Sequence, residues 1–207
     1  MITVLGLDLA GSPRRPTGVC LLAGDRAATR VLLSDAEILA YFEESRPALV
    51  AIDAPLTLPP GRTSIHERNN SHYRPCDLEL RRRKIPFFPI TLGPMRGLTE
   101  RGMILAAAIG RVGVRVIEIY PGGAQDVWGI PRAARDFDGL LRGLRKLGLR
   151  GLRKSATDHE LDAATGALVG RLFLEGRAEI FGDFDSGAIV MPRRSQGRIA
   201  LEAKPTF

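Results

Sequence analysis

The sequence is poor in cysteine: Cys20 and Cys76 are its only two, and they lie far apart in a chain of 207 residues. A secreted disulfide framework uses more cysteines at regular spacing, so we expect reduced thiols. Long apolar runs are missing too, because no stretch approaches the roughly 20 apolar residues that a membrane helix needs. The first residues, MITVLGLDLAGS, lack the basic start and cleavage site of a signal peptide. These absences predict a cytoplasmic protein without a membrane partner.

Acidic residues are outnumbered, with 23 Asp and Glu against 30 Lys and Arg, and the formal net charge is +7. Such a charge suits a polyanionic partner, because Lys and Arg release counterions when they neutralise phosphates. An Arg-rich composition without any such partner would explain the charge equally well. The distribution favours nucleic acid, either DNA or RNA, because one basic segment consists of Arg81, Arg82, Arg83 and Lys84. A second basic stretch contains Arg142, Arg145, Lys146, Arg150, Arg153 and Lys154.

Hydrophobic patterning predicts a single α/β domain over residues 1–207. Five apolar runs have the character of strands, at about residues 2–9, 18–22, 30–33, 48–52 and 114–120. The first three follow one another through short turns, which indicates an antiparallel meander. Helices separate the later strands, which can therefore run parallel to the first. The order predicts a mixed five-stranded sheet with helices on both faces, followed by a C-terminal hairpin at 178–181 and 187–191.

Two capping boxes predict helix starts, Ser34 with Glu37 and Thr157 with Glu160. Further helical patterns run from Thr99 to about Val112 and from Phe137 to Leu147. Residues 56–98 are rich in Pro, Gly and Arg, and only residues 76–84 within them have a helical pattern. We interpret 56–98 as an insertion beside the functional site.

Five acids occupy structured positions: three on predicted strands and two at the start of the last long helix. They are Asp8, Asp53, Glu118, Asp158 and Asp162. A carboxylate in an apolar strand is costly to bury unless it is paired or bound to metal. The ends of parallel strands meet at one edge of a sheet, where Asp8 and Asp53 should lie close together. Clustered carboxylates are typical ligands of Mg²⁺ or Mn²⁺, and two such ions can catalyse phosphoryl displacement.

Each acid also has an interpretation without metal. Asp158 is explained by the helix N-terminus, where a negative charge is favourable. The sequence Asp53-Ala-Pro is typical of a turn at a strand end. Glu118 is compatible with a buried ion pair to an arginine. Asp162 and above all Asp8 are harder to explain in this way.

The segments GLDLAGS (6–12), AIDAP (51–55), RPCDLELRRR (74–83), VIEIYP (116–121) and DHELDA (158–163) resemble family 429 of domains of unknown function, over nearly the whole chain. The resemblance implies an RNase H-like fold and a nuclease activity. It also implies that Asp8 and Asp53 match the metal-binding acids of the first and fourth strands. The segment from His159 to Asp162 resembles the terminal-helix pattern of RuvC-type resolvases. The resulting hypothesis is a metal-dependent nuclease with Asp8, Asp53, Glu118 and Asp162 as catalytic residues, and with Asp158 as a further metal ligand.

Two rival functions remain at this level. The segment GLDLAGS also resembles the phosphate-binding hairpin of actin and sugar kinases, but that architecture needs two such domains, which this chain provides only if it forms a dimer. The second rival is a nucleic-acid-binding module without catalysis, in which the acids are structural. ATP binding would support the first rival, and binding that ignores metal would support the second.

Overall fold

The computed structural model describes residues 2–194. Seven strands run over Thr3–Asp8 (β1), Thr17–Ala23 (β2), Arg26–Leu32 (β3), Leu49–Ile52 (β4), Arg115–Ile119 (β5), Ala178–Asp183 (β6) and Gly187–Pro192 (β7). Six helices run over Asp35–Ser45 (α1), Pro75–Arg82 (α2), Gly93–Gly110 (α3), Pro121–Trp128 (α4), Phe137–Lys146 (α5) and Asp158–Leu174 (α6). Within this part of the chain, no helix combines the length and the apolar character that crossing a bilayer would require.

All seven strands form one sheet in the order β3-β2-β1-β4-β5-β7-β6. The antiparallel meander and the parallel pairs β1–β4 and β4–β5 confirm the predicted topology. The predicted count of five strands is wrong, because the C-terminal hairpin joins the same sheet. Its second strand pairs in parallel with β5, where Glu118 is opposite Ile189. Every residue of β7 is buried, so this strand belongs to the core, whereas β6 forms one edge of the sheet.

Helices cover both faces of the sheet, as the sequence predicts. On one face α6 packs with α4 and α5, over a core that contains Val4, Ala51 and Ile117. On the opposite face α1 and α3 cover Leu7 and Ile52. Alternate residues of each strand therefore point to different helix layers.

The backbone of α6 lies unusually close to β1 and β2, because glycines face it. A Cβ atom on Gly6 would lie 2.1 Å from the carbonyl oxygen of Ala163, and one on Gly18 would lie 1.9 Å from that of His159. Neither position can hold a larger residue unless the backbone shifts. This close approach brings the first turns of α6 over the end of β1.

Both predicted capping boxes are confirmed, since the side chains of Ser34 and Thr157 accept hydrogen bonds from the backbone of Glu37 and Glu160. The start of α3 was predicted too late, because its first turn contains a proline. Helix α4 was not predicted, because Pro121 followed by glycines has the composition of a turn. Proline is also well tolerated in the first turn of a helix, and α4 uses it there.

Candidate active site

Asp8 is the last residue of β1, and Asp53 directly follows β4. The two strands are paired neighbours, and the Asp53 N–H donates to the Leu7 carbonyl at 2.8 Å. Both side chains belong to the sheet face that α6 covers, since Asp8 alternates with Leu7 and Asp53 with Ile52. Burial, and then repulsion from Asp8, raises the pKa of Asp53 well above its usual range. The predicted proximity of Asp8 and Asp53 is therefore present.

The first turns of α6 add two side chains to this pair. His159 Nδ1 lies 2.6 Å from Asp8 Oδ2, and this hydrogen bond is the main reason why the pKa of His159 is raised. Burial and then the charge of Asp8 raise the pKa of Asp162 to about 6. Asp8, Asp53, His159 and Asp162 thus form one cluster, and the Gly6 and Gly18 contacts hold α6 in the position that brings them together.

Gln125 on α4 fixes one oxygen of this cluster. Its amide Nε2 donates to Asp162 Oδ1 at 2.6 Å and to Thr165 Oγ1 at 3.1 Å. Gln125 is buried. The amide therefore orients the Asp162 carboxyl, and it opposes the rise of the pKa of Asp162. No pattern in the sequence indicates a role for Gln125, since helix α4 itself is not predicted.

His159 was also not assigned a role from the sequence, although its segment was noted. A signal was available, because His159 and Asp162 are three residues apart and therefore lie on one side of a helix. Asp158, in contrast, lies exposed at the first position of α6. Its Oδ1 accepts the His159 backbone N–H at 2.9 Å. The structure thus places Asp158 where the helix N-terminus accounts for a negative charge.

Glu118 lies on the opposite face of the sheet from Asp8 and Asp53. It pairs in register with Ile52, whose side chain belongs to the α1–α3 layer. Its two oxygens accept hydrogen bonds from Arg74 Nη1 and Nη2 at 2.7 and 2.8 Å, and the Leu56 N–H donates to it at 2.9 Å. Arg74 is only 1% exposed. Of the two interpretations left open for Glu118, the structure therefore has the buried ion pair with an arginine.

The four residues of the basic segment from Arg81 to Lys84 differ in whether they pair with acidic side chains. Arg82 and Arg83 pair with Glu79, and Arg83 also pairs with Glu179. Within residues 2–194, neither Arg81 nor Lys84 has an acidic partner within 4.0 Å. Two of the four predicted phosphate-contacting residues therefore already have acidic partners, and of these the Arg82 side chain is 75% exposed.

The cluster has the chemistry of a site for Mg²⁺ or Mn²⁺, both of which prefer oxygen ligands. Among the described residues, three carboxyl groups, those of Asp8, Asp53 and Asp162, share one face with the imidazole of His159, which is a cation only when protonated. Burial, and then repulsion between the carboxyl groups, raises the pKa of Asp53 and that of Asp162. In the part of the chain that the structure describes, no three His, Cys, Asp or Glu side chains already converge as a metal site. The donor set fits the ion, and the side chains would have to turn to ligate it together.

Comparison with solved structures shows similarity to RuvC of T. thermophilus bound to a Holliday junction substrate. That similarity has a TM-score of 0.51 and 16% identity, and it covers 84% of this chain and 96% of that chain. A Thermus thermophilus RuvC structure matches with a TM-score of 0.48 and 16% identity, covering 84% of this chain and 97% of that one. At this identity the likeness shows the fold, which is RNase H-like. No protein of curated function matches the sequence.

The model of a protein family described as "Protein of unknown function (DUF429)" matches residues 6–186. The matched region contains all six helices and all of the acids considered above. The chain therefore belongs to the DUF429 family.

Proposed function

We propose that this protein is a divalent-metal-dependent nuclease that hydrolyses phosphodiester bonds of nucleic acid. The observation that carries the proposal is that Asp8 and Asp53, at the ends of neighbouring central strands, lie on the sheet face where α6 adds Asp162. Repulsion between these carboxylates is relieved when either a cation or a proton binds to them, so the cluster favours binding of a metal ion. A net charge of +7 supports a polyanionic substrate.

Asp8, Asp53 and Asp162 would hold Mg²⁺ or Mn²⁺, and the metal would supply Lewis acidity and an activated water. The protein's own residues have separable tasks in this proposal. Gln125 keeps one Asp162 oxygen oriented, which leaves the other free for a ligand. Asp8 accepts a hydrogen bond from His159 Nδ1–H, and when the imidazole is protonated, its Nε2–H can donate to a phosphate oxygen. Glu118 has no ligand role, since its oxygens are occupied by Arg74.

The test is a cleavage panel with the purified protein in Mg²⁺, Mn²⁺, Ca²⁺ or a chelator. The substrates are labelled single strands, duplexes and four-way junctions of DNA, together with single-stranded RNA. The junction is included because the RuvC structure described above holds one. We expect cleavage in Mg²⁺ or Mn²⁺ and none in Ca²⁺ or chelator.

The matched variants are Asp8→Asn, which should abolish cleavage, and Asp138→Asn, which makes the same chemical change at an exposed position of α5 and should not. If Asp8→Asn cleaves as fast as the wild type, or if no substrate is cleaved under any metal condition, the proposal is wrong. Retained affinity for nucleic acid in Asp8→Asn would separate loss of chemistry from loss of binding.

A further inference from the structure

A cavity of about 430 Å³ lies beside the C-terminal end of α2. It is wide open to solvent and combines two aromatic rings, Tyr73 and Phe87, two cations, Arg81 and Lys84, and the apolar Ile85, Pro86 and Pro89. We call it the aromatic–basic cavity. Its volume lies within the range of small-molecule sites. The rings of Tyr73 and Phe87 meet edge to face, with centroids 6.2 Å apart.

The cations of this cavity differ from their neighbours on α2. Arg82 and Arg83 pair with acids, whereas Arg81 and Lys84, in the described part of the chain, do not. The Arg81 guanidinium carbon lies 5.8 Å from the centre of the Tyr73 ring. Lys84 has a φ of 58°, a left-handed conformation that few residues other than glycine adopt. Two unneutralised cations beside aromatic rings favour a ligand that is both anionic and planar.

The aromatic–basic cavity is attached to the same part of the sheet as the candidate active site. Tyr73 directly precedes Arg74, which is locked by its buried ion pair with Glu118 on β5. On the other side, the Tyr120 hydroxyl donates to the Pro86 carbonyl at 2.5 Å. Tyr120 directly follows β5, and its pKa is raised mainly by burial, with a smaller contribution from the charge of Asp53. Two connections to the end of β5 therefore fix the cavity relative to the acids.

We propose that the aromatic–basic cavity binds an unpaired nucleotide of a single-stranded nucleic-acid segment. Its base would stack on the Tyr73 ring with an edge toward Phe87, since the two rings are nearly perpendicular, and its phosphate would contact Arg81 and Lys84. Aromatic stacking is available to any base, but only when the base has left its duplex stack. This inference rests on the proposed nuclease function and defines its substrate class as nucleic acid with an unpaired region.

The test measures fluorescence anisotropy of a labelled 15-nucleotide oligo-dT and of a duplex of equal length, using Asp8→Asn protein in chelator so that no cleavage occurs. We expect the single strand to bind more tightly. Adding Tyr73→Ala should weaken that binding about fivefold or more, the effect of losing one stacked base. Tyr73→Phe keeps the ring and should bind normally. Melting curves of each variant confirm that it is folded.

Arg81→Ala and Arg82→Ala form the matched pair, since both remove one exposed arginine from the same helix. Arg81→Ala should weaken oligo-dT binding severalfold, and Arg82→Ala should change it less than twofold, because Arg82 is already paired with Glu79. Equal losses in the two variants would indicate a diffuse basic surface and overturn the proposal. So would unchanged binding in Tyr73→Ala. Competition by free dTMP at comparable affinity would identify a free nucleotide as the ligand and also overturn it.

Cleavage assays on the same preparations separate this proposal from the previous one. If the wild type cleaves in Mn²⁺ and Tyr73→Ala binds normally, the cavity assignment fails and the nuclease assignment remains. If oligo-dT binding depends on Tyr73 and Arg81 but nothing is cleaved, the nuclease assignment fails and the cavity is a nucleic-acid site.

Discussion

Arg74 and Glu118 form a buried two-pronged ion pair on the sheet face opposite Asp8 and Asp53, although Glu118 and Asp53 lie near the ends of neighbouring strands. Acids at the same edge of the sheet therefore have different electrostatic environments. Glu118 is neutralised by a guanidinium that is itself buried, whereas Asp53 faces other carboxyl groups. Removing the charge should therefore change the stability of the protein in opposite directions at Glu118 and at Asp53.

Glu118→Gln is expected to destabilise the metal-free protein by about 3 kcal/mol, because within residues 2–194 it leaves the buried Arg74 with Asp77 as its one acidic partner. Asp53→Asn makes the same change in a repulsive environment, so it should leave stability unchanged or raise it. Urea unfolding in chelator measures both free energies. A stable Glu118→Gln protein together with a destabilised Asp53→Asn protein would show that the roles are reversed.

Millimolar Mn²⁺ should raise the melting temperature of the wild type, because an ion that binds only the folded state stabilises it by mass action. The gain is about 2.7 kcal/mol when the ion is present at a hundred times its dissociation constant. Asp8→Asn and Asp53→Asn should lose this shift, and Glu118→Gln should keep it relative to its own metal-free melting point. A Mn²⁺ shift that survives in both aspartate variants would place the ion elsewhere.

The stability of the metal-free protein should depend on pH through Asp162. Its pKa is about 6 in the folded protein, above the ordinary value of 3.8. The folded state therefore binds the Asp162 proton more tightly than the unfolded state does. This binding stabilises the fold fully below about pH 4, and the stabilisation is lost as pH rises through about 6. Asp162→Asn, which can still accept the bond from Gln125, should become more stable relative to wild type by up to ~3 kcal/mol between pH 4 and 8. Parallel unfolding curves across this range test it, and a constant difference would contradict the shift.

Gly6→Ala should displace α6, since the new Cβ would lie 2.1 Å from the Ala163 carbonyl oxygen. Overpacking of this kind costs about 1 to 3 kcal/mol. Because His159 and Asp162 are on α6, the Mn²⁺ shift should weaken as well. Gly110→Ala is the control, as its Cβ would meet nothing within 4 Å. Chemical unfolding and the metal response are measured for both, and a Gly6→Ala protein that matches the control would refute the close-packing argument.

The sequence predicted much of the fold because its local signals agree with the tertiary structure. Ser34 and Thr157 have the chemistry of helix caps, and both form them. Asp8 and Asp53 could be predicted because each is a charged residue at the end of an apolar strand. The parallel order of these strands then places their ends together.

Glu118 could not be assigned to a face in this way. It lies between Ile117 and Ile119, and both faces of the sheet are covered by helices, so apolar residues occur in both phases along β5. The alternation of residues along β5 therefore does not show to which face of the sheet Glu118 points. Only the register of β5 with β4 determines that face. Arg74 and Gln125 were out of reach for a similar reason, since their partners are distant in sequence.

The pairing of β7 with β5 also has a consequence for biosynthesis. Asp8, Asp53 and Asp162 are all present once translation has reached the end of α6, but β5 gains its second neighbour only when Gly187–Pro192 has emerged. Until then, the outer N–H and carbonyl groups of β5 are open to pairing with strands of other nascent chains. The hairpin therefore ends a period of aggregation risk that begins when β5 first docks beside β4.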